Sequence, residues 1–461
     1  MLACVLALAP TTDLAARLHF AKEADRSTPF SEAIRTELAR HDPEGLDGIY
    51  RERSYQPLWM SGGRPRPEAF ILVADLKHAE ADGLDPQAYG ADDLTAALSR
   101  PAAMTPAEAS RIELALSRAY GRYAADLRNP PAAAELVATD PTLVRPRLTP
   151  RRALLAASRA RSLERHLASL APENPIYQGL RAALADYRRD HPQAGPNTPY
   201  EARLRINLAR ARALPPEADA RFILVDAASG QLWLYEGGKV RETMPVAVGK
   251  VTEPTPLMSG VIRYAAFHPY WNVPPDLVRE SFAPRVLRQG PAYLASQGLE
   301  VLSDWSDQAS VVDPATVDWE AVAAGRQTIR MRQRPGPDNM MGAVKLMLPN
   351  RLGVYLHDTP DKTVFTRKER TFSAGCVRVS NAMALARLLL GPAAERGVDG
   401  SPEQRVDLPE PIPVYIAYFT ALPSEDGADV DLARDVYQRD GPLLAALGTA
   451  DRAEPMQFAA R

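Results

Sequence analysis

Apolar residues recur at three- and four-residue spacing over 69–79, 109–127 and 152–170, which predicts helices with one buried face. Pro and Gly punctuate the intervals, so residues from about 12 to 195 read as mostly helical. A further helix is predicted over 202–213, ending at Leu214-Pro-Pro216. From 221 the period changes. Phe222-Ile-Leu-Val-Asp226, a Ser229-Gly230 turn, a run from Gln231, a Gly237-Gly238 turn and a run over 240–248 predict a three-stranded meander. Shorter strands are predicted over 345–349, 354–357 and 377–379, and a closing strand over 411–419. Ser380 reads as an N-cap, 381–390 as an apolar-faced helix and Gly391 as its stop. Residues 276–330 interrupt the strands, with a helical stretch over 277–287 and two aromatic-acidic pieces, Ser303-Asp-Trp305 and Val317-Asp-Trp319. The pattern predicts an α+β chain: a helical N-terminal domain, then a mostly antiparallel, sandwich-like β domain.

Composition narrows the function classes. The chain has 461 residues, enough for two or three domains with cores of their own. A net charge of −2 and the lack of a Lys/Arg tract leave no broad basic field for nucleic acid or a membrane surface. The 42 prolines accompany normal apolar content, so they signal turns rather than disorder. No stretch approaches the roughly 18 apolar residues of a membrane-spanning helix. Residues 1–11 look like the remnant of a signal segment whose start is lost. Residues 1–10 (MLACVLALAP) are apolar but lack a basic n-region, and Pro10 would hinder cleavage after Ala7-Leu-Ala9. Export, with a periplasmic location, is expected. The two cysteines are Cys4 and Cys376; with the first segment removed, Cys376 is a lone thiol that cannot form an internal disulfide.

The chemistry concentrates in Tyr355-Leu-His-Asp-Thr359 and Ser373-Ala-Gly-Cys-Val-Arg378, which place His357 nineteen positions before Cys376. A thiol becomes a strong nucleophile as thiolate, and a neighbouring imidazole can take its proton. Gly375 permits a tight turn that would aim main-chain N–H groups at an oxyanion. Taken singly, a buried Cys is usually a small hydrophobe and a lone His a structural hydrogen-bonder; the joint pattern is what points to a site. No H-E-x-x-H, paired C-x-x-C, phosphate loop or dinucleotide fingerprint occurs, and no metal or cofactor is expected.

The string Ser-x-Gly-Cys-x-Arg and its spacing to Tyr-x-His-Asp-Thr resemble the signature of the L,D-transpeptidases, cysteine enzymes that cross-link peptidoglycan, in their large periplasmic Gram-negative branch. Ala374, where smaller relatives carry a second His, agrees with that branch. So do Tyr50-Arg-Glu-Arg-Ser-Tyr-Gln-Pro-Leu-Trp59, Asp82-Gly-Leu-Asp-Pro86, Asn174-Pro-Ile-Tyr-Gln-Gly-Leu-Arg181, Phe267-His-Pro-Tyr-Trp-Asn-Val-Pro-Pro275, Gln333-Arg-Pro-Gly-Pro337 and Val436-Tyr-Gln-Arg-Asp440. The aromatic and Arg residues of the N-terminal strings read as core and turn residues more readily than as ligands. His268 stands where Asn is usual and ranks below His357 as a base. A peptidoglycan-binding module common after Tyr187 is absent, because only a Pro/Gly/Asn-rich linker follows.

The resemblance implies a helical scaffold domain over 12–195, a linker and connecting helix over 196–219, a catalytic domain over 220–422 with a capping lid at 276–330, and a tail over 423–461. It implies catalytic roles for Cys376, His357, Gly375 and Tyr355, substrate contacts for Arg378, Ser373 and Trp271, and no metal. The substrates implied are peptidoglycan tetrapeptide stems, as donor and acceptor, with carbapenem β-lactams as inhibitors. An L,D-carboxypeptidase, a hydrolase of lipoprotein–peptidoglycan bonds and a non-catalytic wall-binding scaffold remain alternatives, because the acceptor is not written in the sequence.

Overall fold

The computed structural model describes residues 28–43, 45–194, 198–425, 427 and 429–450, with side chains to 448. The signal-like segment at 1–11 and the tail beyond 450 lie outside the described residues.

The helical half is built around one long helix. Helices α1 (Pro29–Arg40), α2 (Pro67–Lys77) and α3 (Pro106–Arg128) share an apolar cluster with α4 (Pro150–Arg159) and α5 (Leu163–Ala168). Thr105 and Glu108 close a capping box at the start of α3, which satisfies two otherwise orphaned N–H donors. Glu113, fully buried on α3, accepts from the N–H groups of Leu58 (2.6 Å), Trp59 (2.9 Å) and Met60 (3.0 Å) and from the Tyr50 hydroxyl (2.7 Å). A buried carboxylate is tolerable when so many donors surround it. Tyr50 and Trp59 are therefore core residues. The helix expected over 152–170 is two helices: Ala160 is extended at φ −65° and ψ 137°, and Ser162 caps a new start.

Helices α6 (Pro175–Asp190) and α7 (Pro199–Ala211) follow, joined by a short segment with no room for a domain. They cover one face of the sheet. Asp82, 2 % exposed, ties the two halves: its carboxylate accepts from the Tyr177 hydroxyl (3.0 Å) and pairs with Arg181 (2.9 Å), and its backbone oxygen accepts from Arg212 (2.7 Å).

The sheet strands are β1 (Phe222–Asp226), β2 (Gln231–Glu236), β3 (Lys239–Gly249), β4 (Met258–Phe267), β5 (Val344–Met347), β6 (Leu356–His357), β7 (Thr371–Ser373), β8 (Val377–Val379) and β9 (Gln404–Ala417). Their order is β5-β6-β8-β3-β2-β1-β9-β4, and β4 pairs again with β5, so the curved sheet closes on itself. Most pairings are antiparallel; β6–β8, β7–β3 and β9–β1 are parallel, as is the pairing of a tenth, two-residue strand, Val137–Ala138 of the helical half, with β4. Every β1 side chain is buried because Ile223 and Val225 face the sheet's own core while Phe222 and Leu224 face α6 and α7. That two-sided burial explains its continuous apolar run. Helix α8 (Ala382–Leu390) packs on the inner cluster. Its N-cap is Asn381, whose side chain accepts from Ala384 N–H at 3.1 Å, rather than Ser380.

Between β4 and β5 the chain makes a unit with its own apolar cluster. Four short antiparallel strands, Val311–Val312, Leu299–Leu302, Arg330–Gln333 and Trp271–Val273, carry helices that include a π-turn at Val278–Phe282. It springs from the sheet end that delivers His357, since Val344 pairs with Phe267 and the adjacent Lys345 pairs with His357. No helix among the described residues is long and apolar enough to cross a membrane.

Candidate active site

The parallel pair β6–β8 brings together residues nineteen apart in sequence. Leu356 is opposite Val377 and His357 opposite Arg378. Side chains alternate along a strand. Leu356, Val377 and Val379 enter the inner core, so His357 and Arg378 share the opposite face; Tyr355 and Cys376 stand one residue before each strand, where the Val377 N–H donates to the Tyr355 carbonyl at 3.2 Å and the Tyr355 hydroxyl meets the Cys376 sulfur. The Tyr355 and His357 rings meet edge-on with centroids 5.7 Å apart.

His357 is 2 % exposed, and its Nδ1 lies 2.5 Å from the Asp358 carbonyl oxygen. A carbonyl only accepts, so Nδ1 carries the proton and Nε2 keeps the lone pair. Burial, reinforced by the Arg378 charge, pushes the imidazole down to about 4. Asp358 is held by Ala343 N–H at 2.9 Å and by the Lys362 ammonium. Gly342 approaches so closely, at φ +61°, that a Cβ there would sit 2.4 Å from Asp358 Oδ2.

Cys376 is partly exposed, and its thiol is directed at the Gly353 carbonyl, 3.6 Å away, rather than at His357. Burial pushes the thiol up, while the Tyr355 backbone and hydroxyl and the Arg378 charge partly offset this. Near neutral pH both partners are therefore uncharged. Desolvation disfavours both charged forms.

Three expected site residues have structural partners of their own. Gly375 has φ +108°, as the tight turn requires, and its N–H donates to Ser373 Oγ (3.2 Å). Ser373 is 2 % exposed, and its hydroxyl donates to the Cys376 carbonyl (2.6 Å), so it braces the loop and does not reach a substrate. Trp271 packs edge-on against Phe282, centroids 6.2 Å apart, inside the inserted unit's own cluster rather than in a groove beside Cys376. His268 Nε2 donates to the Val398 carbonyl (2.8 Å), which occupies it away from the thiol. Tyr355 is held protonated by burial, which leaves its hydroxyl a donor beside the sulfur. Arg378 lies over the Phe372 ring, 5.9 Å from its centroid, and its buried Nε has no partner.

A support the pattern did not reveal comes from the C-terminal segment. The Tyr437 hydroxyl donates to the Gly249 carbonyl at 2.5 Å, and its ring stacks on Tyr418. Gly249 pairs with Ser373, and Lys250 N–H donates to the Ser373 carbonyl at 3.0 Å. The segment thus pins β3 against the loop that carries Cys376. Arg370 fixes the loop's other end on the Ser229, Gly230 and Val246 carbonyls. The string Val436-Tyr-Gln-Arg-Asp440 was visible, but spacing gives no hint of what it touches. Among the described residues no acid, His or Cys cluster could hold a metal ion.

Comparison with known proteins gives the site a context. Residues 220–399 match the model of the L,D-transpeptidase catalytic domain, and residues 44–184 that of the scaffold domain. The chain is 31 % identical over 284 residues to a Haemophilus influenzae protein whose name provisionally assigns it to the L,D-transpeptidases; the match covers 60 % of this chain and 55 % of that relative's length. Among solved structures, it is similar to an Enterococcus faecium L,D-transpeptidase mutant at 14 % identity and a TM-score of 0.21, covering 44 % of this chain and 52 % of the other. An L,D-transpeptidase from Mycobacterium smegmatis matches at 15 % identity and a TM-score of 0.21, over 42 % and 59 %.

Proposed function

We propose, from the premise that residues 220–399 form an L,D-transpeptidase catalytic domain, that this protein cross-links peptidoglycan through a thioester on Cys376. The observation that carries the reading is the β6–β8 register, which sets His357 beside Arg378 and brings Tyr355 to Cys376. The Cys376 side chain turns from Gly353 O toward His357, whose Nε2 takes the thiol proton as sulfur attacks. The carbonyl attacked joins the third stem residue, meso-diaminopimelate, to a terminal D-Ala. The tetrahedral intermediate collapses, the C–N bond breaks, and the imidazolium gives its proton to the departing D-Ala amine. The side-chain amine of a second stem's diaminopimelate then attacks the thioester and loses a proton to His357. The C–S bond breaks and the thiolate regains its proton, leaving a bond between two third residues.

His357 is uncharged near neutral pH and so able to accept the thiol proton, while the burial that lowers it makes that transfer uphill. Tyr355 supplies a donor at the developing oxyanion; one such donor is worth about 3–4 kcal/mol of barrier. The partly exposed Arg378 guanidinium suits a substrate carboxylate through its terminal nitrogens. The inserted unit, rooted at the His357 end of the sheet, acts as a lid that excludes water. The substrate lies outside the cytoplasmic membrane, so the reading carries export to the periplasm.

The test is incubation with purified tetrapeptide muropeptides and mass spectrometry of the products. Dimers that have lost D-Ala are expected, and Cys376→Ala is expected to yield none. Tripeptides alone would replace the reading with the hydrolase; unchanged substrate would leave a wall-binding scaffold. A carbapenem should add mass at Cys376, and label retained in Cys376→Ala would contradict the assignment.

A further inference from the structure

A cavity lies away from the Cys376 site. A space of about 560 Å³ opens where the helical half meets the sheet, walled on the sheet side by Ser259 and Tyr415. Five arginines line it, Arg128, Arg145, Arg147, Arg152 and Arg212, against a single acid, Glu135. Leu136, Leu143, Leu148 and Leu170 give it an apolar wall.

The arginines differ in what already holds them. Arg147 is paired with Glu135. Arg145 donates to the carbonyls of Leu214 (2.7 Å) and Ala213, with Glu217 near it, and burial lowers its pKa. Arg212 is only 3 % exposed; one of its terminal nitrogens donates to the Asp82 carbonyl, but its Nε is buried with no partner. Asp82 and Asp126 also act on Arg212, yet each has another partner, Arg181 (2.9 Å) and the Tyr89 hydroxyl (2.9 Å) respectively. Arg128 and Arg152, at the exposed rim, make no side-chain hydrogen bond or ion pair with the described residues. His166, also in the lining, is joined through Nε2 to the Tyr120 hydroxyl at 2.8 Å.

Packing several guanidinium groups round one cavity is costly unless something offsets their repulsion, and an unpaired buried donor adds to that cost. Guanidinium forks match carboxylate and phosphate oxygens, two bonds at a time. We propose that this cavity is a second ligand site, independent of the Cys376 reaction, for a small anionic ligand with carboxylate or phosphate groups on a partly apolar body. Arg128 and Arg152 capture the anion at the rim, and the charge of the buried Arg212 adds to the attraction. Such a ligand bridges the helical half and the sheet, so its binding stiffens their junction.

Isothermal titration of the full chain with two probes, inorganic pyrophosphate and a disaccharide tripeptide bearing free stem carboxylates, tests this. Sub-millimolar binding of at least one probe is expected, and which one binds names the source of the oxyanions. Arg128→Gln with Arg152→Gln should weaken it at least tenfold while leaving the melting temperature and the muropeptide activity unchanged. Cys376→Ala should leave it intact. The proposal is overturned if neither probe binds, if binding is unchanged in the double Gln variant and in Arg152→Glu, or if Cys376→Ala abolishes it.

Discussion

Ser373 offers the sharpest check on how the fold holds its nucleophile. Its hydroxyl donates to the Cys376 carbonyl at 2.6 Å and accepts from Gly375 N–H at 3.2 Å, and the side chain is almost fully buried. Ser373→Ala removes both bonds and leaves a carbonyl and an N–H without their partner. Each neutral hydrogen bond contributes about 1 kcal/mol net, and a group left unsatisfied costs about 1–3 kcal/mol. Backbone pairing of Ser373 with β3 survives, so the loss falls on the turn that aims Cys376 and not on the whole domain. If roughly 2–3 kcal/mol is needed to restore the reactive geometry, the rate falls about 30- to 140-fold at 1.4 kcal/mol per decade. The assay is the rate of carbapenem acylation at Cys376 by mass spectrometry, beside the melting temperature. An acylation rate within about twofold of wild type, at an unchanged melting temperature, would refute the bracing role.

Because burial raises the Cys376 thiol and lowers His357 to about 4, the resting pair is neutral. Iodoacetamide labelling of the Cys376 peptide follows the thiolate fraction, so it should climb about tenfold per pH unit between 6 and 8; a plateau there would show a standing ion pair instead. Tyr437→Phe removes the bond to the Gly249 carbonyl and should lower kcat while KM stays near wild type, since the residue acts on the loop and not on substrate; a change confined to KM would argue against that clamp.

Much of the fold was legible because local rules and global packing agree. The two-sided apolar run of β1, the Gly237-Gly238 turn at φ +58° and +74°, and the Thr105–Glu108 capping box each announce themselves in a few residues. The break at Ala160 was not legible, since Ala, Arg and Ser continue a helical pattern as readily as they end it. Asn381 displaced Ser380 as the cap because the choice depends on where β8 releases the chain.

By itself the sequence determined which chemistry is present. A thiol, an imidazole, a phenol and a guanidinium stand at fixed separations, and the β6–β8 pairing brings the two segments that carry them side by side. Only the tertiary structure decided their state. Whether a thiol is charged depends on how much water it has lost and which donors surround it, and those come from Gly353, Tyr355 and the Ser373 loop. The arginine-lined cavity is likewise a property of the assembled halves: its five cations are spread over 128–212, and folding alone brings them together.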